Sequence, residues 1–324
     1  MGPKDIFGLI KDTFKEWSED KAARLGAALA YYTIFSIGPL LLIAISIASL
    51  VFANAQEQIV GSISGVVGQQ GGEAVTGIIE NNNKGGGSII ATIIGIVVLL
   101  LGASGVFGQL KDALNTIWEV KPKEGQGFLK TIKDRFLSFT MVLGTGFLLL
   151  VSLVISAAVA AVNVWLNSFL PGGVIVGQAL NFLLAFAVVT VMFALLFKYL
   201  PDIKIGWKDV WLGAAITALL FSLGQFALGL YLSMGNVGTA FGAAGSLVIV
   251  LVWIYYSAQI LFFGAEFTQV YTNRFGSRVQ PADNAESVTE EDRAQEGIPS
   301  DDKGKPGERK ATKRKLKSSP WFSN

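Results

Sequence analysis

The chain contains neither cysteine nor histidine, and the two absences remove most familiar site chemistry. Without Cys there is no disulfide, no thiolate nucleophile and no Cys-ligated metal. Without His there is no imidazole to serve as general base, proton relay or metal ligand, which excludes Ser-His-Asp triads and His-metal hydrolases. Charge is scarce as well: Asp, Glu, Lys and Arg make up 15% of the residues. No Walker motif, dinucleotide fingerprint, zinc-binding helix or calcium loop occurs. No metal and no cofactor are therefore expected.

Apolar residues fill the space, at 52% of the chain with a mean hydropathy of +0.52. They gather into six long stretches with approximate cores at 27–53, 88–108, 137–165, 175–200, 209–233 and 240–271. Each is long enough to cross a hydrocarbon layer of ~30 Å, which takes ~20 residues at the helical rise. The pattern predicts an all-α membrane protein with six transmembrane helices.

Lys and Arg alternate between the connections. Residues 1–26 carry five, loop 54–87 carries only Lys84, and loop 109–136 carries six. Loops 166–174 and 234–239 carry none, the turn between spans four and five has Lys198, Lys204 and Lys208, and eleven follow residue 271. Basic residues stay on the cytoplasmic side, so both termini are expected inside (N-in/C-in) in a bacterial inner membrane. The first apolar run is far longer than a signal-peptide core, which predicts a retained signal-anchor.

Three regions follow: a cytoplasmic amphipathic helix in 1–26, a membrane domain over 27–275, and a tail over 276–324. In the first, Ile6, Phe7, Ile10, Phe14 and Trp17 share a helical stripe opposite Lys11, Asp12, Lys15 and Glu16. That spacing fits an interfacial helix, or a plain lead-in to span one. In loop 54–87, two groups at helical spacing (Ile59 to Val67, and Val75 to Ile79) predict two short amphipathic helices at the outer mouth. The tail is disordered by composition, with an acidic block (Asp283 to Asp302) and then a basic block (Lys303 to Lys317). The basic block suits anionic lipid headgroups. The two blocks could equally pair with each other, and a solvated tail is the favoured reading.

Few polar residues interrupt the spans. Apart from Asp209 at the very start of the fifth run, Glu266 is the only carboxylate in an apolar run, and ionisable groups there mark function by default. It lies seven residues after Gln259, on nearly the same face. With Gln225, Tyr255 and Tyr256 these form a candidate pathway; pairing of Glu266 with Arg274 or a loop lysine is the structural alternative. Gly38-Pro39 removes a backbone donor within span one, giving a packed kink or a broken helix lining a site. Arg135 and Lys198 are candidate contacts for headgroup phosphates, and Asp202 and Lys204 read as turn residues. Small residues at 102–108 and at Ala214, Ala218 and Ser222 predict close helix packing.

Several of these residues carry a resemblance. Ala27 to Ser36 followed by Gly38-Pro39-Leu40, Gly102-Ala103-Ser104 leading to Ile117-Trp118, Leu200-Pro201-Asp202, Gly213-Ala214, Trp253-Ile254-Tyr255-Tyr256 and Gly264-Ala265-Glu266-Phe267 resemble the YihY/BrkB family of inner-membrane proteins, in order over about 20–275. The resemblance implies a six-helix bacterial inner-membrane protein. Members were once described as ribonuclease BN, mistakenly, and later discussed as envelope transporters, including lipid or lipopolysaccharide-precursor export. It implies no catalytic residues.

The expected function is transport or flippase-like movement of a lipid or envelope precursor, not enzymatic catalysis. Membrane lipids are the expected partners, homo-oligomerisation is open, and no nucleic acid is expected. A non-transporting scaffold for envelope machinery is the alternative. A membrane ribonuclease is the weaker one, since Asp112, Glu119, Glu124 and Asp134 form no recognisable site.

Overall fold

The computed structural model describes residues 2–48, 54–67, 72–73, 76–77, 79–80, 105–123, 173–234, 245–277 and 279–295. The chain separates into two units, Met1–Ser287 and Val288–Asn324.

In the first unit, helix α1 (Pro3–Glu19) starts on a proline, whose missing N–H costs nothing in a first turn. The Asp5 carboxylate accepts the Gly2 N–H at 2.9 Å. Lys21, at φ 54°, turns the chain through the left-handed region, and α2 (Ala22–Ala48) follows at once. Helix α2 continues through Gly38 and Pro39, so the proline does not break it. Helix α3 (Ala55–Val67) realises the first of the two helices expected in the outer loop. Residues 72–73, 76–77 and 79–80 are helical within the second. Ile79 is buried against Ile45, Ile59, Val60 and Ile63, which joins these pieces to one another and to α2.

Helix α4 covers 105–117 and leads into strand β1 (Val120–Pro122). Three long helices follow: α5 (Gly173–Tyr199), α6 (Trp207–Met234) and α7 (Gly245–Phe275). Their apolar character continues around the whole helix, as expected where lipid or protein meets every face. Polar side chains within them bond backward: Thr190 donates to the Phe186 carbonyl at 2.7 Å and Thr272 to the Thr268 carbonyl at 2.7 Å. Such i−4 bonds satisfy hydroxyls where no water reaches.

Helix α7 organises the unit. Arg274 near its C-terminus contacts α1 at Asp12 and beside Gly8. Gln259 meets Ala22 and Gly26 at the start of α2, and Ile249, Val250 and Ile254 cluster with Ala30. Helices α1 and α2 thus run end to end, antiparallel, along α7. Helix α1 packs its Leu9, Thr13 and Glu16 face inward and leaves Ile6, Phe7, Ile10 and Phe14 exposed. The main core lies where α4, α5, α6 and α7 converge, on Leu114, Ile117, Phe197, Val210, Ala214 and Phe262.

Three described helices are long and apolar enough to cross a membrane, over Phe182–Tyr199, Trp207–Tyr231 and Leu247–Phe275. They match the fourth to sixth expected spans, and α2 covers most of the first. Residues 88–104 of the second run and all of 137–165 lie outside the described residues.

Two expectations need correction. The fold is mostly helical but not purely so: β1 pairs antiparallel with β4 (Ala285–Ser287), and β2 (Ile203–Lys204) with β3 (Gln280–Pro281). The polar region after 276 is also not featureless at its start, because β3 and β4 bind it to the loops at 120–122 and 203–204. Pairings of two and three residues leave no periodic signature, so composition alone misses them. The second unit contains α8 (Glu290–Gln295), capped reciprocally by Thr289 and Asp292: Asp292 N–H donates to Thr289 Oγ1 at 3.2 Å, and Thr289 N–H to the Asp292 carboxylate at 2.9 Å. The blocks from 296 onward lie outside the described residues.

Candidate functional site

Two of the expected pathway residues come together. A groove of about 410 Å³ opens between α1, α6 and α7, with Gln259 and Tyr256 on one wall and Leu223 and Ala227 on another. Phe14 and Trp17 of α1 close a third side. The sequence pattern had placed these two only on an interfacial stripe.

Glycines set the shape of the groove. A Cβ at Gly224 would lie 2.8 Å from the Tyr256 hydroxyl and 2.6 Å from Ile260 Cδ1, so a side chain there would force these two to shift. A Cβ at Gly26 would lie 2.0 Å from Gln259 Nε2. That close approach holds the Gln259 amide nitrogen near the Ala22 carbonyl, at a long 3.5 Å. Among the described residues, Gln259 Oε1 and Trp17 Nε1 are buried with no hydrogen-bond partner. The lining is otherwise apolar apart from the Tyr256 hydroxyl.

The other pathway candidates lie elsewhere. Glu266, two helical turns along α7, is fully buried in the protein and does not line the groove. Arg274, one of its expected partners, pairs with Asp12 at 3.2 Å. Tyr255 points outward, 36% exposed, and Gln225 is half-buried outside the groove lining. Gly38 and Pro39 lie within α2, and Arg135 falls outside the described residues.

Lys198 belongs to a second, polar site where α5 ends and α6 begins. Its ammonium donates to the Ile205 carbonyl and lies 5.7 Å from the Trp207 ring centroid. These contacts hold the turn between α5 and α6. Asp202, expected as a simple turn residue, is the centre of this site. Its carboxylate lies 3.1 Å from Lys111 Nζ, both side chains under a tenth exposed. It also accepts from Asn115 Nδ2 at 3.2 Å and Asn284 Nδ2 at 3.0 Å. The Asp202 N–H donates to Asn115 Oδ1 at 2.8 Å, and its carbonyl accepts the Ala282 N–H at 2.9 Å.

Burial alone would raise the Asp202 carboxyl pKa. The Asn284 hydrogen bond and the Lys111 charge outweigh it and hold the group below the usual carboxylate range. Close by, Lys204 bonds the Asp283 carboxylate at 2.5 Å and lowers its pKa. Asp209 accepts from the Ser277 N–H at 3.2 Å and hydroxyl at 2.9 Å. The sequence signal for this clasp was Lys111 and Asn115, four residues apart on one face of α4 beside buried Leu114. The clasp is saturated by its own partners. The groove, by contrast, is an open cavity among the described residues.

Curated relatives carry the name UPF0761 membrane protein. One from Pseudomonas aeruginosa is 30% identical over 258 residues, covering 76% of this chain and 58% of the relative. Another from Tolumonas auensis is 31% identical over 182 residues, 55% of this chain and 56% of the relative. A third, from a Psychrobacter species, is 27% identical over 282 residues, 85% of this chain and 50% of the relative. The chain therefore spans only a little over half the length of the curated relatives it matches. No solved structure matches it. The sequence profile described as "Virulence factor BrkB" matches residues 13–289, and the chain belongs to that family of membrane proteins.

Proposed function

We infer that the protein works in the bacterial inner membrane as a transporter or flippase-like carrier of a lipid or envelope precursor. The observation that carries this reading is the groove between α1, α6 and α7. Its walls are apolar, and exposed Leu219, Leu223 and Phe226 lie along the same α6. Helix α6 is long and apolar enough to span a bilayer, where such a face meets acyl chains. A carrier of hydrophilic ions would need charged groups along its path, and the groove lining has none. The alternation of Lys and Arg between loops supports six spans with both termini cytoplasmic.

Reconstitution tests it. Purified protein in liposomes should speed the exposure of fluorescent phospholipid or envelope-precursor analogues to an external quencher, above protein-free liposomes. No acceleration with any lipid class refutes transport and leaves the scaffold alternative.

A further inference from the structure

We propose that α1 anchors the protein in the headgroup layer of an anionic bilayer. Its exposed apolar stripe enters the bilayer surface, and Lys4, Lys11 and Lys15 along one edge of that stripe hold the phosphates of anionic phospholipids. The surface is separate from the groove and holds whether or not the protein carries lipid.

Charge on α1 is sorted by direction. At 3.6 residues per turn, exposed Ile6, Ile10, Phe14 and Phe7 occupy an arc of about 100°, and Lys11, Lys4 and Lys15 follow directly on one side of it. Phe7 and Phe14 are 73% and 61% exposed. The acids of α1 lie beyond the lysines, and each is bonded or buried. Asp5 accepts the Gly2 N–H, Asp12 takes Arg274, Glu19 takes Lys15, and Glu16 is buried. Lys4 and Lys11 are exposed and have no ion pair among the described residues. A face that shows hydrocarbon and cations outward, with its acids already engaged, complements an anionic bilayer surface.

The depth of that face is marked independently. Helix α7 is long and apolar enough to cross a membrane over Leu247–Phe275. Helix α1 docks at the end of this window, where Asp12 pairs with Arg274 and Gly8 lies against the same guanidinium. Helix α6 starts at that end too, since Asp209 accepts the Ser277 N–H. There Tyr199, Trp207 and Trp211 form a continuous ring contact, with centroids 6.0 and 6.2 Å apart. All three are between 41% and 50% exposed. Exposed Trp and Tyr gather where hydrocarbon gives way to headgroups. The stripe on α1 thus lies where the long helices leave the bilayer, and lysine stems are long enough to reach phosphates from there.

The test uses the full chain in phosphatidylcholine nanodiscs. The chain has no cysteine, so Ile10→Cys takes a single fluorophore on the exposed stripe. The quenchers are aqueous iodide and, at equal trace fractions, phosphatidylglycerol or phosphatidylcholine with a nitroxide high on the acyl chain. Quenching by the lipids and protection from iodide are expected. The phosphatidylglycerol probe should quench about fivefold more than the phosphatidylcholine probe, a ratio that falls in high salt. Lys4→Gln/Lys11→Gln should bring the ratio near one, whereas Lys4→Arg/Lys11→Arg should keep it. If Ile10→Cys fails to fold, Phe7→Cys carries the fluorophore instead. Iodide quenching without lipid quenching places the face in water and overturns the anchor. Protection from both quenchers means that another segment of the chain or a second copy covers the face, and overturns it as well. Equal quenching by the two lipids overturns the role of the lysines.

Discussion

Gly213 of α6 and Thr268 of α7 approach so closely that a Cβ at 213 would lie 1.9 Å from the threonine Oγ1. The contact is mirrored one turn away, where a Cβ at Gly264 would lie 2.0 Å from Thr217 Oγ1. Each threonine hydroxyl donates to the carbonyl of the glycine four residues before it, at 2.7 Å for Thr217 and 2.6 Å for Thr268. Two Gly-xxx-Thr pairs on antiparallel helices thus lock into each other, the small-residue packing that replaces hydrophobic driving force within membranes. Gly264→Ala should destabilise the protein by about 2 kcal/mol or more, as forced overpacking does. The double variant Gly264→Ala/Thr217→Gly should recover most of that loss. Thermal midpoints in detergent check both, and no recovery in the double variant would refute reciprocal packing.

The Asp202–Lys111 pair sets an acid limit. Because the folded carboxyl has a lowered pKa, the stability it contributes is complete above the ordinary unfolded value near 4 and is lost as pH falls through the folded value. Stability measured by denaturation in detergent should therefore stay level with respect to this group from neutrality to about pH 4 and decline below it. Asp202→Asn strands a buried Lys111 and should cost about 3 kcal/mol at pH 7. It should also weaken the acid decline. An unchanged acid limb in Asp202→Asn would assign the decline to other groups.

Truncation should be sharply position-dependent. A chain ending at 295 keeps β3, β4 and the Asn284–Asp202 bond and should remain monodisperse. A chain ending at 277 loses both ladders and strips a hydrogen bond from a buried carboxylate. Gel filtration after detergent extraction should show aggregation of the shorter chain. An envelope phenotype lost on truncation at 295, with folding intact, would favour the scaffold alternative.

Orientation has its own test. Reporter fusions at residue 122 should give cytosolic activity, and fusions at residue 70 periplasmic activity. The opposite pair of results would reverse the arrangement drawn from loop charges.

The sequence made the long elements legible because their signal is long. Runs at 175–200 and 209–233 predict α5 and α6 within two residues at each end, since hydropathy over ~20 residues is a strong cue. Ala214 and Ala218, expected as a packing stripe, are both fully buried. The site was half legible: Gln259 and Tyr256 stood out as polar atoms in grease, whereas Trp17 did not. Its role depends on α1 lying along α7, a contact between residues over two hundred positions apart that no local pattern encodes. Asp202 was missed for the same reason, because its partners Lys111, Asn115 and Asn284 come from three separate segments. Glu266, read from the sequence as either a pathway residue or an ion-pair partner, is fully buried in the protein and does not line the groove.

The clasp around Asp202 also has a timetable. Translation delivers Lys111 and Asn115 first and Asp202 later, while Asn284 and β4 emerge only after the last long helix has been made. The carboxylate must wait for its final donor, and β1 for its only strand partner among the described residues. The nascent chain consequently cannot seal this end until nearly everything before residue 288 has left the ribosome. A stalled or shortened product would carry an open edge strand and an incompletely bonded acid, features by which unfinished copies differ from mature ones.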